Sequence, residues 1–212
     1  MKPIFKDLLK ACFILLSSYM FATCQYSKKQ PKNIILMISD GWGYSHILAT
    51  DYYQYGKTNV QSYQAFPYHT AMSTFMAEGD YNPDSAWVTF NYVRRRPTDS
   101  GASATAFATG KKTYNGAICV DTEKNQLENI VQRAEKLGKA TRVVTSVPWS
   151  HATPAGMAAH DTSRNNYTEI ALEMIYNSGL EVIMGCGHPL YDNNAKQVTA
   201  DINYILVGGE ST

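Results

Sequence analysis

Asp99 and Ser100 stand side by side in "RRRPTDSGASATAFATG", residues 94–110, a carboxylate beside a hydroxyl and then a run of Gly, Ala, Ser and Thr. Ala-rich sequence favours helix and Phe107 needs a place to be buried, so this run reads as a helix with Ser100 in its first turn. The unpaired N–H groups and positive dipole end of a helix N-terminus attract anions and favour an ionised hydroxyl. Read on its own, the pair could equally be a helix cap with no chemistry. Asp40, in "NIILMISDGWG", and the segment "WSHATPAGMAAHDTSRNN", with His151, Thr153, His160, Asp161 and Arg164, supply further polar groups. A carboxylate is a hard oxygen ligand, a threonine hydroxyl can complete an oxygen-rich magnesium shell, and an arginine fork matches two phosphate oxygens. Asp40, Ser100, Thr153 and Arg164 therefore suit phosphoryl chemistry, provided the fold brings them to one rim.

The elements that would position them alternate between strand and helix. "NIILMIS" is an almost continuous apolar run of strand length, ended by the turn-forming "DGWG", which puts Asp40 just past the carboxyl end of a buried strand. Leu127, Ile130, Val131, Ala134 and Leu137 follow helical spacing, Gly138 is placed to end that helix, and "TRVVTSV" returns as a strand. "NNYTEIALEMIYNSGLEVIMG" repeats the pattern, with Asn166 and Glu169 as a capping-box-like start, Gly179 as a stop and a strand after it. Such alternation predicts an α/β fold, a three-layer sandwich around a mostly parallel sheet, with ligand-binding loops at the carboxyl edge of the strands. Between Tyr52 and Arg96 the pattern weakens; "YHTAMSTFMAE" and "WVTFNYV" are read as a strand pair in an excursion over the sheet.

"NIILMISDGWG", "TDSGASATAFATGKKTYNGAI" and "HATPAGMAAHDTSR" occur in the order and at about the spacing of the alkaline phosphatase family, which the chain resembles over nearly all of its length after the first two dozen residues. The resemblance implies hydrolysis of phosphate monoesters through a phosphoserine intermediate, with two zinc ions and a magnesium ion in the complete site. It gives Ser100 the part of the nucleophile, Asp40 that of a carboxylate bridging zinc and magnesium, and Thr153 that of a magnesium-shell hydroxyl. Arg164 would grip the phosphoryl group and Asp99 would orient Arg164. His151 stands where the enteric bacterial form has aspartate and other members have histidine; it would reach magnesium through water or serve structure alone. His160 is assigned to packing, and Asp121 and Asp161 to turns or caps. The rival readings are a relative cleaving phosphodiesters or sulfate esters, and a truncated, non-catalytic remnant.

The family completes its zinc sites with histidines and aspartates from later segments, and after Arg164 the only further histidine is His188, in a glycine-rich turn. Zinc usually takes four ligands, so a chain with this donor set is expected to bind it poorly. Lys2, Lys6 and Lys10 before a short apolar run predict a signal peptide over 1–23, a tether over 24–32, and the amino-terminal portion of an alkaline phosphatase-like domain over 33–212. Export to the periplasm or outside follows, with Cys24 either acylated as a lipid anchor or left near a simple cleavage point. A formal charge of +1 gives no general attraction to nucleic acid. Cys119 and Cys186 both lie in apolar settings, where unpaired buried thiols are expected rather than a disulfide. By resemblance, a homodimer is the expected assembly.

Overall fold

A computed structural model describes residues 31–212. The expected signal peptide, Cys12, Cys24 and all of the expected tether before Pro31 lie outside the described residues. The chain divides into two compact units between Ser39 and Asp40, and every element below belongs to the second. Helix α1 spans Tyr44–Tyr55, short helices α2 and α3 span Pro83–Val88 and Phe90–Arg95, and α4 spans Ser100–Thr109. Helix α5 follows at Ile130–Lys136, then strand β1 at Arg142–Pro148, α6 at Ala152–Ala158, α7 at Tyr167–Tyr176 and strand β2 at Val182–Cys186.

Strands β1 and β2 run parallel, pairing Arg142 with Val182, Val143 with Ile183 and Val144 with Met184 before an irregularity that brings Pro148 opposite Cys186. Gly185 is required there, because a Cβ on it would lie 2.8 Å from the Val147 carbonyl and 2.9 Å from the Trp149 nitrogen. Parallel strands need a crossover, and α6 and α7 supply it, burying Ala155, Ile170 and Met174 in a core shared with Ile118, Val131 and Val143. Gly138 and Gly179, both at positive φ, follow α5 and α7 where the sequence places stops. The chain thus has the α/β character expected of it.

Four local expectations are corrected. The run 34–39 is not a strand, and its side chains are exposed, with Ile35 at 84% and Met37 at 88%. A strand apolar on both faces forms only where neighbours flank it and layers cover it, and the sheet among the described residues contains β1 and β2 alone. "WVTFNYV" is helical: Asn82 caps α2 through Ser85 N at 2.8 Å with Pro83 in the first turn, and Thr89 breaks extended and caps α3 through Asn91 N. No strand forms over 68–78 either. A capping box lies at α5, between Asn129 and Gln132, and none at α7, where Asn166 instead donates to Asp161 Oδ1 at 2.8 Å. Cys186 is exposed, although Cys119 is buried and both are free.

The run of small residues in α4 has a direct packing reason. Helix α6 crosses it so closely that a Cβ on Gly156 would lie 2.5 Å from the Cβ of Ala104. Thr105, fully buried, donates to Ala117 O at 3.1 Å and accepts from Cys119 N at 2.9 Å, tying α4 to the segment that runs beneath it. Gly110, left-handed at φ 73°, closes the helix.

Candidate active site

Three segments deliver hydroxyl and carboxylate groups to one point. Asp40 Oδ2 accepts from Ser100 Oγ at 2.7 Å and from Thr153 Oγ1 at 2.8 Å, across sequence separations of 60 and 113 residues. Ser100 opens α4; Thr153 sits in the first turn of α6, a few residues past the carboxyl end of β1. The close α4–α6 crossing at Ala104 and Gly156 sets the separation of the two helix starts. These two hydroxyl bonds hold the Asp40 carboxyl below the usual carboxylate range; burial opposes them, while Gly41 N–H and the Arg164 charge assist.

Asp99 does more than cap. Its Oδ1 accepts from Ala102 N at 2.9 Å as the helix cap, while Oδ2 accepts from Gly116 N at 3.0 Å and from Arg164 Nη1 at 3.0 Å. Burial alone would raise its pKa, but these three donors outweigh burial and leave it lowered. The cap and the arginine-orienting role are therefore compatible in one carboxylate. The other Arg164 nitrogen, Nη2, donates to His151 Nε2 at 3.2 Å. His151 stacks on Tyr167 with ring centroids 6.2 Å apart. Burial and the neighbouring guanidinium lower its pKa against the opposing pull of Asp40, which favours the neutral ring over the charged one beside Arg164.

Among the described residues, the structure thus brings Asp40, Ser100 and Thr153 into direct contact and joins Asp99, Arg164 and His151 in a second chain of bonds. His160 lies away from both, buried between Glu173 Oε1 at 2.8 Å and Leu127 O at 2.9 Å. Asp161 holds Ser163 N and Asn166 Nδ2, a turn role, and Asp121 holds Glu123 N and Asn125 N. Sequence reasoning passed over Gly116, whose N–H reaches Asp99 and whose carbonyl accepts from Arg164 N at 2.6 Å. Its signal was the "YNG" turn following α4.

The whole described region from residue 31 to residue 212 matches the family model "Alkaline phosphatase". The chain belongs to the alkaline phosphatase family. It is 33% identical over 187 residues to alkaline phosphatase 3 of Bacillus subtilis, covering 84% of this chain and 38% of that protein. To the alkaline phosphatase of Escherichia coli it is 38% identical over 147 residues, covering 66% of this chain and 28% of that protein. In structure it resembles the alkaline phosphatase of the Antarctic bacterium TAB5, with a TM-score of 0.63 at 34% identity, covering 84% of this chain and 46% of that one. A histidine-to-aspartate variant of that enzyme, described with Mg bound in the M3 site, matches with the same TM-score at 33% identity, covering 84% of this chain and 45% of that one. The chain spans less than half the length of these relatives.

Membership of this family implies metal cofactors, and the donor set can be tested against them. Asp40 with two convergent hydroxyls is an all-oxygen arrangement that fits one hard divalent cation such as magnesium, with water completing the shell. Zinc asks for a cluster of nitrogen, sulfur or carboxylate ligands. No group of three or more His, Cys, Asp and Glu side chains able to hold a metal is found among the described residues. The described residues therefore do not fit two zinc ions.

Proposed function

We propose that the chain carries out metal-dependent phosphate monoester hydrolysis, with Ser100 as nucleophile and a phosphoserine as intermediate. The observation that carries this is the shared Asp40 oxygen, on which the Ser100 and Thr153 hydroxyls converge at 2.7 and 2.8 Å. Two hydroxyls donating to one carboxylate oxygen form a set of oxygens that a cation can draw together. Asp40 and Thr153 are the residues to hold magnesium, which when bound supplies charge compensation for the oxygens around it.

Ser100 Oγ, at the tip of α4, attacks phosphorus in line with the departing ester oxygen. Its proton, hydrogen-bonded to Asp40 Oδ2 before attack, passes by way of that oxygen to the departing ester oxygen. The Arg164 fork, held at one nitrogen by Asp99, binds the non-bridging oxygens of the phosphoryl group. Engaging a phosphoryl group competes with the His151 contact, so that contact is the one to be released. Backbone N–H groups in the first turn of α4 add attraction for the anion. The P–O bond to the ester breaks in this same step, and the organic group leaves as an alcohol or phenol carrying the proton given up by Ser100. Water then attacks the phosphoserine, releasing inorganic phosphate and returning a proton to Ser100 Oγ.

A bidentate guanidinium favours a monoester, which offers more free oxygens than a diester. Comparing the purified chain on an aryl phosphate, a bis-aryl phosphate and an aryl sulfate tests the reading. Monoester cleavage that vanishes in Ser100→Ala is expected, and faster diester or sulfate cleavage would overturn it. The non-catalytic reading is supported by the lack of a group of three or more His, Cys, Asp and Glu side chains able to hold a metal among the described residues; magnesium-dependent turnover by the wild-type chain would exclude it. Export from the cell, acylation of Cys24 and homodimerisation are further proposals of the same reading. Localisation of the tagged chain, mass analysis of its amino terminus and its sedimentation would test them.

A further inference from the structure

Asn115 holds the approach to the nucleophile with both ends of its side-chain amide. Its Oδ1 accepts from Asp99 N at 3.0 Å and its Nδ2 donates to Pro97 O at 2.9 Å. Asp99 is the cap residue of α4, so its own N–H lies outside the helical ladder and needs an external acceptor. An amide offers donor and acceptor in one planar fork, whereas a carboxylate only accepts. The next residue continues the grip, because Gly116 N reaches Asp99 Oδ2 and Gly116 O accepts from Arg164 N. This turn lies tight against the helix start. A Cβ on Gly101 would meet Ala117 O at 3.0 Å and the Gly116 carbonyl carbon at 3.3 Å.

We propose that Asn115 is a positioning residue for phosphoryl transfer: by pinning the backbone at Pro97 and Asp99 it fixes the first turn of α4, and with it the direction of Ser100 Oγ toward Asp40. The proposal rests on the phosphoryl-transfer reading of Ser100. Asn115 touches neither Asp40 nor Ser100; it acts through the backbone that carries them. Its side chain is exposed, and the Asp99 cap on Ala102 N survives its removal, so variants at this position retain the fold.

The test compares the wild-type chain with Asn115→Ala and Asn115→Asp by two readouts. The first is amide hydrogen exchange over residues 97–103, set against 104–109 in the same helix. The second is the rate at which an aryl phosphate in saturating magnesium phosphorylates Ser100, measured beside the affinity for inorganic phosphate. In Asn115→Ala, exchange over 97–103 is expected to rise on the order of tenfold while 104–109 is unchanged. Phosphorylation is expected to slow by about the same factor, with phosphate affinity held. Asn115→Asp keeps the acceptor for Asp99 N and loses the donor to Pro97 O, and should fall between. Unchanged exchange at 97–103, or raised exchange with an unchanged phosphorylation rate, overturns the positioning role. A wild-type chain that takes up no phosphate overturns the phosphoryl-transfer reading beneath it, a failure told apart because the exchange readout needs no turnover.

Discussion

Gly156→Ala is the substitution through which the packing of the helices reaches the chemistry most directly. The added Cβ would stand 2.5 Å from Ala104 Cβ, 3.3 Å from the Ala104 carbonyl carbon and 3.4 Å from Thr105 N. Carbon–carbon contacts relax near about 3.5–4.0 Å, so α4 and α6 must part by about 1 Å. Neither side can yield by rotating a side chain, since the opposing atoms are a Cβ and backbone. Overpacking of this kind costs about 1–3 kcal/mol. The same displacement acts on the site, because Ser100 rides on α4 and Thr153 on α6, and both hydroxyls share Asp40 Oδ2 at 2.7 and 2.8 Å. Adding about 1 Å to either contact takes it past the roughly 3.0 Å limit of a good O–H···O bond. A misplacement of that size can cost about a hundredfold in rate. Urea unfolding and the initial rate on an aryl phosphate give the two readouts. The double variant Ala104→Gly with Gly156→Ala removes the 2.5 Å contact. It should recover most of the rate and most of the stability, because the helix cost of replacing Ala104, about 1 kcal/mol, is offset by the helix gain of replacing Gly156. A Gly156→Ala chain with wild-type stability and rate would refute the reasoning, as would a double variant that recovers neither.

His160 donates from both ring nitrogens to Glu173 and Leu127 O; burial opposes its charge, but these bonds prevail and raise its pKa above 6.5. The stability it contributes is therefore full below the unfolded value and is lost as pH rises through the folded one. Urea midpoints taken from pH 6 upward should fall more steeply for wild type than for His160→Gln. Burial and the nearby Glu173 charge push the Cys119 thiol up to about 12, against a lowering contact from Asn129, while Cys186 is exposed. Mass mapping after brief treatment with a thiol reagent should thus find Cys186 modified and Cys119 intact until the chain unfolds. Thr105→Val removes the buried acceptor of Cys119 N and the donor to Ala117 O, and is expected to lower unfolding free energy by about 1–3 kcal/mol in a denaturant titration.

Much of this arrangement was legible because local chemistry and fold agree. Helical spacing with Gly138 and Gly179 marked the ends of α5 and α7, and the two β-branched runs after them became β1 and β2. The helix beginning at Ser100 could be read from its small residues, whose reason, the contact of Ala104 with Gly156, is visible only in three dimensions. The region 68–95 misled because aromatic and β-branched residues fit strands in isolation. There the local caps of Asn82 and Thr89, with Pro83, decide for short helices. The start of α5 slipped from Leu127 to Ile130 because Leu127 N is taken by Cys119 O and Leu127 O by His160. For the apolar run 34–39, composition reports what a strand would bury, and burial itself depends on neighbours that a local reading does not contain. At the site, residue types named the participants. The pairing of Asp99 with Arg164 was implied by the family resemblance, whereas Arg164 with His151 and Asn115 with Asp99 are long-range choices that left no trace in spacing.

The most direct measurement is mass spectrometric location of covalent phosphate after acid quenching of the chain with an aryl phosphate and magnesium. Phosphate on Ser100 alone is expected, lost in Ser100→Ala and sharply reduced in Asp40→Asn. Phosphate on a different residue, or none on Ser100 while the ester is consumed, would contradict a nucleophile held against Asp40.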